Sequence, residues 1–313
     1  MTDMRKCAII GCGNVGATTA FSLMKSGLFS RMVLIDQNKE RARGEAADLN
    51  HGLPFLAPME IYAGDYPDIA DAGIVIIAAG AAQKKGETRM DLLRANATIF
   101  RTVVASICQY NQECILLTVT NPVDVLTEVT RQISGFPKAR VIGSGTVLDT
   151  ARLKFLLGRR LGVDSRNVHA FIIGEHGDSE LPVYSSANIS GIDLDSFSGN
   201  REVAPVPLGL GALFLEVRDA AYDIIKAKGA TYYAIAEAVR RIVTAIVRDE
   251  KAVLPVSVFT NGAYGLPPLC ISLPTVVGRG GAEQLLPMPL SNEEQEALLR
   301  SALQIEAALK QLQ

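Results

Sequence analysis

The sequence predicts an α/β fold, a doubly wound parallel sheet followed by an α+β second half. Three observations carry this. Short apolar runs alternate with helix-length segments through residue 143, the order of βαβ units. One run, Ile74 to Ala79, is apolar without a break, as in a strand buried on both faces. A glycine-rich turn, Gly11-Cys12-Gly13-Asn14-Val15-Gly16, separates the first apolar run from the first helix. After Val141-Ile142-Gly143 the texture changes, so we divide the chain into 1–143 and 144–313. There is no low-complexity linker, and the two parts should share an interface.

In order along the first part, Cys7 to Ile10 reads as a strand. Val15 to Ser26 reads as a helix with Phe21, Leu23 and Met24 on its apolar side. Met32 to Ile35 is the second strand and ends at Asp36. Lys39 to Leu49 is a charged helix, and Glu60 to Ala63 and Ile74 to Ala79 are the next strands. Arg89 to Tyr110 is a long helix, followed by the buried strand Cys114 to Thr118. In the second part, a helix at Val147 to Leu161 leads to the apolar run Ala170 to Ile173. Glu216 to Val247 is helical with a break near Gly229, and its portion around 230–248 should pack back on the first part. Val253 to Phe259 and Leu269 to Val277 read as antiparallel strands. Ser291-Asn292-Glu293-Glu294 opens a terminal amphipathic helix with an N-cap and an acidic first turn.

At 313 residues with 48% apolar and 20% charged residues, the chain can bury a large core and is not disordered. A net charge of -2 advertises no basic face for nucleic acid or anionic membrane. The N-terminus lacks a secretory apolar stretch, and the run Ala72 to Ala82 is too short to cross a bilayer. The five cysteines form no CxxC pair and are odd in number, so we expect reduced, mostly buried thiols in a cytoplasmic protein.

The glycine turn has a physical reading. Gly11 permits the tight strand-to-helix turn, Gly13 lets the backbone approach a pyrophosphate, and Gly16 lets helix and strand pack closely. The helix N-terminus then offers free N–H groups to phosphate. A bare structural turn, or a flavin or S-adenosylmethionine site, would also use such glycines. Asp36 at the end of the next strand favours a dinucleotide: a carboxylate accepts from ribose hydroxyls and repels a 2′-phosphate. We therefore expect a Rossmann-type domain that takes NAD rather than NADP.

The second part offers chemistry. Gly174-Glu175-His176-Gly177-Asp178 places a histidine in a glycine-flanked loop after the apolar run. Oxidising a secondary alcohol needs a base for the hydroxyl proton while hydride leaves, and the reverse needs an acid. Histidine suits both near neutrality. A carboxylate on its other ring nitrogen would orient it, and Asp149 is the candidate. Arg152, three residues on, shares a helix face with Asp149 and could grip a substrate carboxylate with two bonds. Taken singly, Asp149 reads better as a helix cap and Arg152 as a surface arginine, and it is the His176 loop that favours the catalytic reading. Gln83 to Arg89 contains Gly86 and can hinge as a closing loop, or can serve simply as a solvated basic loop.

Five motifs occur in one order: the glycine turn, Gln83-Lys84-Lys85-Gly86-Glu87-Thr88-Arg89, Thr120-Asn121-Pro122-Val123-Asp124, Leu148-Asp149-Thr150-Ala151-Arg152 and the His176 loop. Over nearly its whole length the chain resembles the lactate/malate dehydrogenase family, its bacterial lactate-specific members in particular. The resemblance implies His176 as acid/base, Asp149 as its partner, Arg152 as carboxylate anchor and Arg89 as the group that polarises the carbonyl. It places Asn121 beside nicotinamide and substrate, Thr231 in the substrate pocket, and Val119 and Ile235 as pocket walls next to the cofactor. Val15, Asp36, Arg41, Gly80, Ala81 and Thr102 would contact or border NAD.

The resemblance also frames specificity. Malate-specific members carry arginine at the position of Gln83, so a neutral glutamine implies pyruvate and L-lactate rather than a dicarboxylate. Malate or another 2-hydroxy acid remains the alternative, because Lys84 and Lys85 lie close by. A non-catalytic NAD-binding protein is the second class, and the presence of His176, Arg89 and Arg152 counts against it. The sequence offers no cysteine or histidine cluster of the kind a resident metal would want. Lys154 and His169 match positions where bacterial relatives bind fructose 1,6-bisphosphate between subunits, with lysine replacing an arginine. They read equally as a helix-surface lysine and a strand histidine. Self-association as a homotetramer is implied by the family alone.

Overall fold

A computed structural model describes residues 2–81, 88–199 and 208–312 of the chain, with no side-chain description at Arg89 or Gly199. The first part alternates as its apolar runs require. The strands are β1 (Asp3–Ile10), β2 (Arg31–Ile35), β3 (Glu60–Ala63), β4 (Ala72–Ile77), β5 (Ile115–Thr118) and β6 (Val141–Gly143). The helices are α1 (Asn14–Ser26), α2 (Lys39–Gly52), α3 (Arg89–Tyr110) and α4 (Val123–Ser134). Strands β1 to β6 run parallel in the order β3-β2-β1-β4-β5-β6. The strand order therefore reverses between β1 and β4, the switch point at which open α/β sheets bind ligands.

Side chains alternate across this sheet. Ile9, Leu34, Ile76 and Leu117 face one core with α1 and α2, and Ile10, Val33, Val75 and Leu116 face the other with α3 and α4. Both faces are apolar because both are covered.

The second part begins with α5 (Val147–Leu161), then β7 (Val168–Ile173), β8 (Leu181–Ile189), β9 (Ile192–Asp193) and α6 (Leu194–Gly199). It continues through α7 (Leu210–Lys228), α8 (Tyr233–Val247), β10 (Ala252–Phe259), β11 (Cys270–Gly278), β12 (Gly281–Leu285) and α9 (Asn292–Lys310). The helical stretch breaks at Gly229, which caps α7 with a φ of 87°. The terminal helix is capped as its sequence requires: Ser291 accepts from the Glu294 N–H, and Glu294 answers at the Ser291 N–H.

Two features depart from a simple two-part division. Strands β10 to β12 do not form a separate sheet but extend the central one antiparallel from β6, giving nine strands. Helix α8 lies against α1, with Val239, Ile242, Val243 and Ile246 in the same core as Ile9 and Leu34, and Ser22 donating to Glu237 at 2.7 Å. What is left to the second part alone is the small antiparallel sheet β7-β8-β9 under α5 and α7. Among the described residues no helix is long and apolar enough to cross a membrane, and all five cysteines are free thiols.

Candidate active site

The glycine turn joins β1 to α1 at the switch point. Gly11 has a φ of 99°, and a Cβ there would lie 2.4 Å from the Ala79 nitrogen. A Cβ on Gly16 would lie 1.8 Å from the Gly11 carbonyl oxygen. Both glycines are demanded by the protein's own packing. Gly13 differs, because a Cβ there would meet no atom within 4 Å. It is the N-cap of α1, which has no side-chain cap, so no capping side chain takes the first-turn N–H groups at Asn14, Val15 and Gly16. Open space over uncapped amides is what a pyrophosphate would fill.

Asp36 lies just beyond β2, with Oδ2 accepting from the Cys12 N–H at 2.7 Å and Oδ1 from the Asn38 N–H at 2.8 Å. These bonds aim the carboxylate along the edge of the glycine turn and leave each oxygen a further lone pair. Arg41 stands in the first turn of α2, exposed and 3.8 Å from Glu45. Across the switch point, the Ala81 N–H donates to Asn96 Oδ1 at 2.8 Å, and Asn96 Nδ2 donates to the Asn121 carbonyl at 3.0 Å. Asn96 thus ties Gly80 and Ala81 to Asn121. Val119 is buried beside them. Thr102 sits on the exposed side of α3, its hydroxyl bonded to the Thr98 carbonyl. Among the described residues, no hydrogen bond joins it to this cluster.

The histidine loop follows β7. His176 Nδ1 lies 2.5 Å from Asp149 Oδ2, and Arg152 Nη1 donates to Asp149 Oδ1 at 2.8 Å. Asp149 is 2% exposed at its side chain, so the carboxylate is held between two donors out of water. Burial works against the Asp149 carboxylate, but the charge and hydrogen bond of His176 and the charge of Arg152 hold its pKa below the ordinary value. Burial also works against the imidazolium. The charge and hydrogen bond of Asp149 outweigh it and raise His176 to about 9. With Nδ1 engaged, Nε2 is the atom left to exchange a proton.

The backbone of this loop is fixed from three sides. Asp124, buried near the start of α4, accepts from the His176 N–H at 2.7 Å and from Ser272 Oγ at 2.8 Å. Gly174 and Ser272 exchange backbone hydrogen bonds, and Ser301 Oγ on α9 accepts from the Glu175 N–H at 2.8 Å. Sequence reasoning assigned no role to Asp124, Ser272, Ser301 or Asn96. Asp124 stood in a quoted motif and could have been found there. Ser272, Ser301 and Asn96 carry no local signal.

Arg152, Thr231 and Ile235 line one cavity of about 370 Å³ between α5, α7 and α8. Lys154 and His169 line another, of about 390 Å³, together with Arg241. The expected substrate-reading residue Gln83, its neighbours Lys84 and Lys85 and the hinge Gly86 lie outside the described residues. Arg89 is the first residue of α3, within the Thr88–Asp91 capping box, and its side chain likewise lies outside them.

A dinucleotide cradle at the switch point, joined across the chain to a buried carboxylate–histidine pair, defines a nicotinamide-dependent oxidoreductase. Comparison with known proteins gives the family. Residues 5–143 match the family model of the lactate/malate dehydrogenase NAD binding domain, and residues 146–313 match that of the lactate/malate dehydrogenase alpha/beta C-terminal domain. An L-lactate dehydrogenase of Acetivibrio thermocellus is 52% identical over 309 residues, covering 99% of this chain and 98% of that protein. One from Priestia megaterium is 49% identical, covering 95% and 93%. A crystal structure of a lactate dehydrogenase enzyme from a Medee basin deep-sea metagenome library superposes with a TM-score of 0.96 at 43% identity, covering 100% of this chain and 99% of that one. The minor L-lactate dehydrogenase of Enterococcus mundtii, in a ligands-bound form, gives 0.95 at 38%, covering 99% and 98%. The chain belongs to the lactate/malate dehydrogenase family, and its cofactor is NAD.

Proposed function

We propose that this chain is an L-lactate dehydrogenase that interconverts pyruvate and L-lactate, with His176 as the proton carrier. The observation that carries the reading is the Arg152–Asp149–His176 array, with bonds of 2.8 and 2.5 Å, beside the cavity lined by Arg152, Thr231 and Ile235. NAD, when bound at Gly11 to Gly16 and Asp36, supplies the hydride acceptor or donor. In oxidation, His176 Nε2 takes the hydroxyl proton as the C–H hydride leaves. In reduction, Nε2–H gives the proton back to the carbonyl oxygen. Asp149 fixes the tautomer and stabilises the imidazolium. The bond to Asp149 occupies one guanidinium donor of Arg152, and the others would anchor the substrate carboxylate. Arg89, Asn121 and Thr231 would polarise and position the carbonyl, and Val15, Arg41, Gly80, Ala81, Thr102, Val119 and Ile235 would border the cofactor.

Gln83 is the basis for pyruvate over oxaloacetate, since a second substrate carboxylate would enter without a partner charge. We further propose a division near residue 143 into cofactor and substrate domains, a homotetramer, a cytoplasmic location, and fructose 1,6-bisphosphate binding at Lys154 and His169. The deciding assay compares pyruvate, oxaloacetate and 2-ketoisocaproate with NADH. Pyruvate should have the highest kcat/KM, and a preference for oxaloacetate would overturn the substrate reading.

A further inference from the structure

Behind the His176–Asp149 pair stands a second carboxyl group that the proposed reaction does not use. Glu180 lies between the histidine loop and β8, its N–H donating to the Gly177 carbonyl at 3.2 Å. The residue is 5% exposed, and its Oε1 is buried with no hydrogen-bond partner. Side-chain atoms of Asp149, His176 and Glu180 all fall within 4.8 Å of one another. The charged and titratable groups facing Glu180 are Asp149 and Arg152 from α5 and His176 from the loop.

The charges do not balance if every carboxyl is ionised. Arg152 supplies one permanent positive charge, and it is bonded to Asp149. While the imidazole is neutral, a second buried carboxylate would have no counter-ion. Two carboxyl groups this close in a buried site do not both ionise, and the one with fewer donors keeps its proton. Asp149 holds both His176 and Arg152, which leaves Glu180 as the acid.

We propose that Glu180 is a positioning residue that stays protonated and lends its O–H to the Asp149 carboxylate, so that it adds no negative charge of its own beside Asp149 and the buried Asp124, which already face His176. Burial first, and then the charge of Asp149, raise the Glu180 carboxyl to about 9, in line with this state. An O–H on Asp149 draws charge from the carboxylate and loosens its hold on the imidazolium. Glu180 thereby keeps the proton affinity of His176 nearer to neutrality, where a reversible acid/base is most effective. The idea rests on His176 as proton carrier.

The test reads His176 directly. The chain has three histidines, so imidazole titrations by NMR can be assigned with His176→Asn, without reference to turnover. Glu180→Gln keeps a neutral donor and should leave the His176 titration in place. Glu180→Leu removes the donor and should raise it by ~1 unit, the scale of a charge-assisted hydrogen bond. Infrared difference spectra near neutral pH should show a carboxylic-acid carbonyl band that disappears in Glu180→Gln. Lowered titration in both variants would mean an ionised Glu180, and no shift in either would make it a bystander. Each result, or absence of the band, overturns the proposal. If Glu180→Leu does not fold, Glu180→Gln and the band decide. Retained turnover in His176→Asn would instead overturn the proton-carrier reading, and the infrared result would still stand.

Discussion

His176 is placed by groups that pull in opposite directions. Burial disfavours its charged form, and Asp149 at 2.5 Å more than restores it. His176→Asn should keep NADH affinity and lower turnover by ~10²–10⁴-fold, the worth of positioned acid/base chemistry. Turnover within a few-fold of the parent would remove the assignment. The pH profile follows from the sign of the shift. Reduction consumes the imidazolium, so pyruvate reduction should hold below the His176 pKa and decline as pH rises through it. Lactate oxidation should rise over the same range. The raised value is about 9, and a neutral Glu180 removes one contribution, so the midpoint should fall between 6.5 and about 9. Chemistry-limited rates with one common trend in both directions would contradict this. The residues that carry charge were legible in the sequence, because His176, Asp149 and Arg152 sit in local motifs with fixed spacing. Asn96, Ser272 and Ser301 were not, because each acts through a contact made only by tertiary folding, at separations such as Glu175 to Ser301.

At the scale of elements, the glycine turn separates two roles that a motif merges. Gly16→Ala would force a Cβ to 1.8 Å from the Gly11 carbonyl, so α1 must shift away from β1. Gly13→Ala meets only open space. We therefore expect Gly16→Ala to lower the melting temperature of the NAD-free protein. Gly13→Ala should melt near the parent yet bind NADH more weakly, because its methyl group enters the space assigned to pyrophosphate. Calorimetry without cofactor and fluorescence titration with NADH would separate these outcomes, and equal NADH affinity in Gly13→Ala would remove the cradle argument. The elements with strong periodicity or apolar runs were legible: α3, α5 and β3 occupy the expected spans, and β10 and β11 pair antiparallel as expected. Others were not. Helix α4 is rich in β-branched Val123, Val125, Thr127, Val129 and Thr130, poor helix formers that its buried position overrides. Strand β8 buries Leu181, Val183, Ala187 and Ile189 in alternation, but the exposed Ser185 interrupts the pattern and the strand contains Pro182. Strand β12 is short, with Glu283 and Gln284 exposed, and terminates the sheet. The expected strand Ile74 to Ala79 is shifted, running Ala72–Ile77, because the chain leaves the sheet at Ala78 to reach Gly80.

At the scale of the molecule, Lys154 on α5, His169 on β7 and Arg241 on α8 meet around one cavity, although they are distant in sequence. Arg241 was not read as part of this group, because only the packing of α8 brings it there. Burial lowers the Lys154 pKa, which makes an anion a favourable partner for its charged form. Arg241 is already bonded to Glu250 at 2.6 Å, so the site is not simply a surplus of cations. A bisphosphate bound here between subunits would have to bind the active arrangement more tightly than the inactive one, since only differential affinity shifts an equilibrium. Linkage then requires that fructose 1,6-bisphosphate tighten pyruvate binding and that pyruvate tighten effector binding by the same factor. Lys154→Ala and His169→Ala should each weaken activation and leave the rate without effector near the parent. Sedimentation should show a tetramer in which the effector has its second half-site. Steady-state kinetics with and without the effector decides the matter: a KM for pyruvate that ignores it would return Lys154 and His169 to ordinary structural roles.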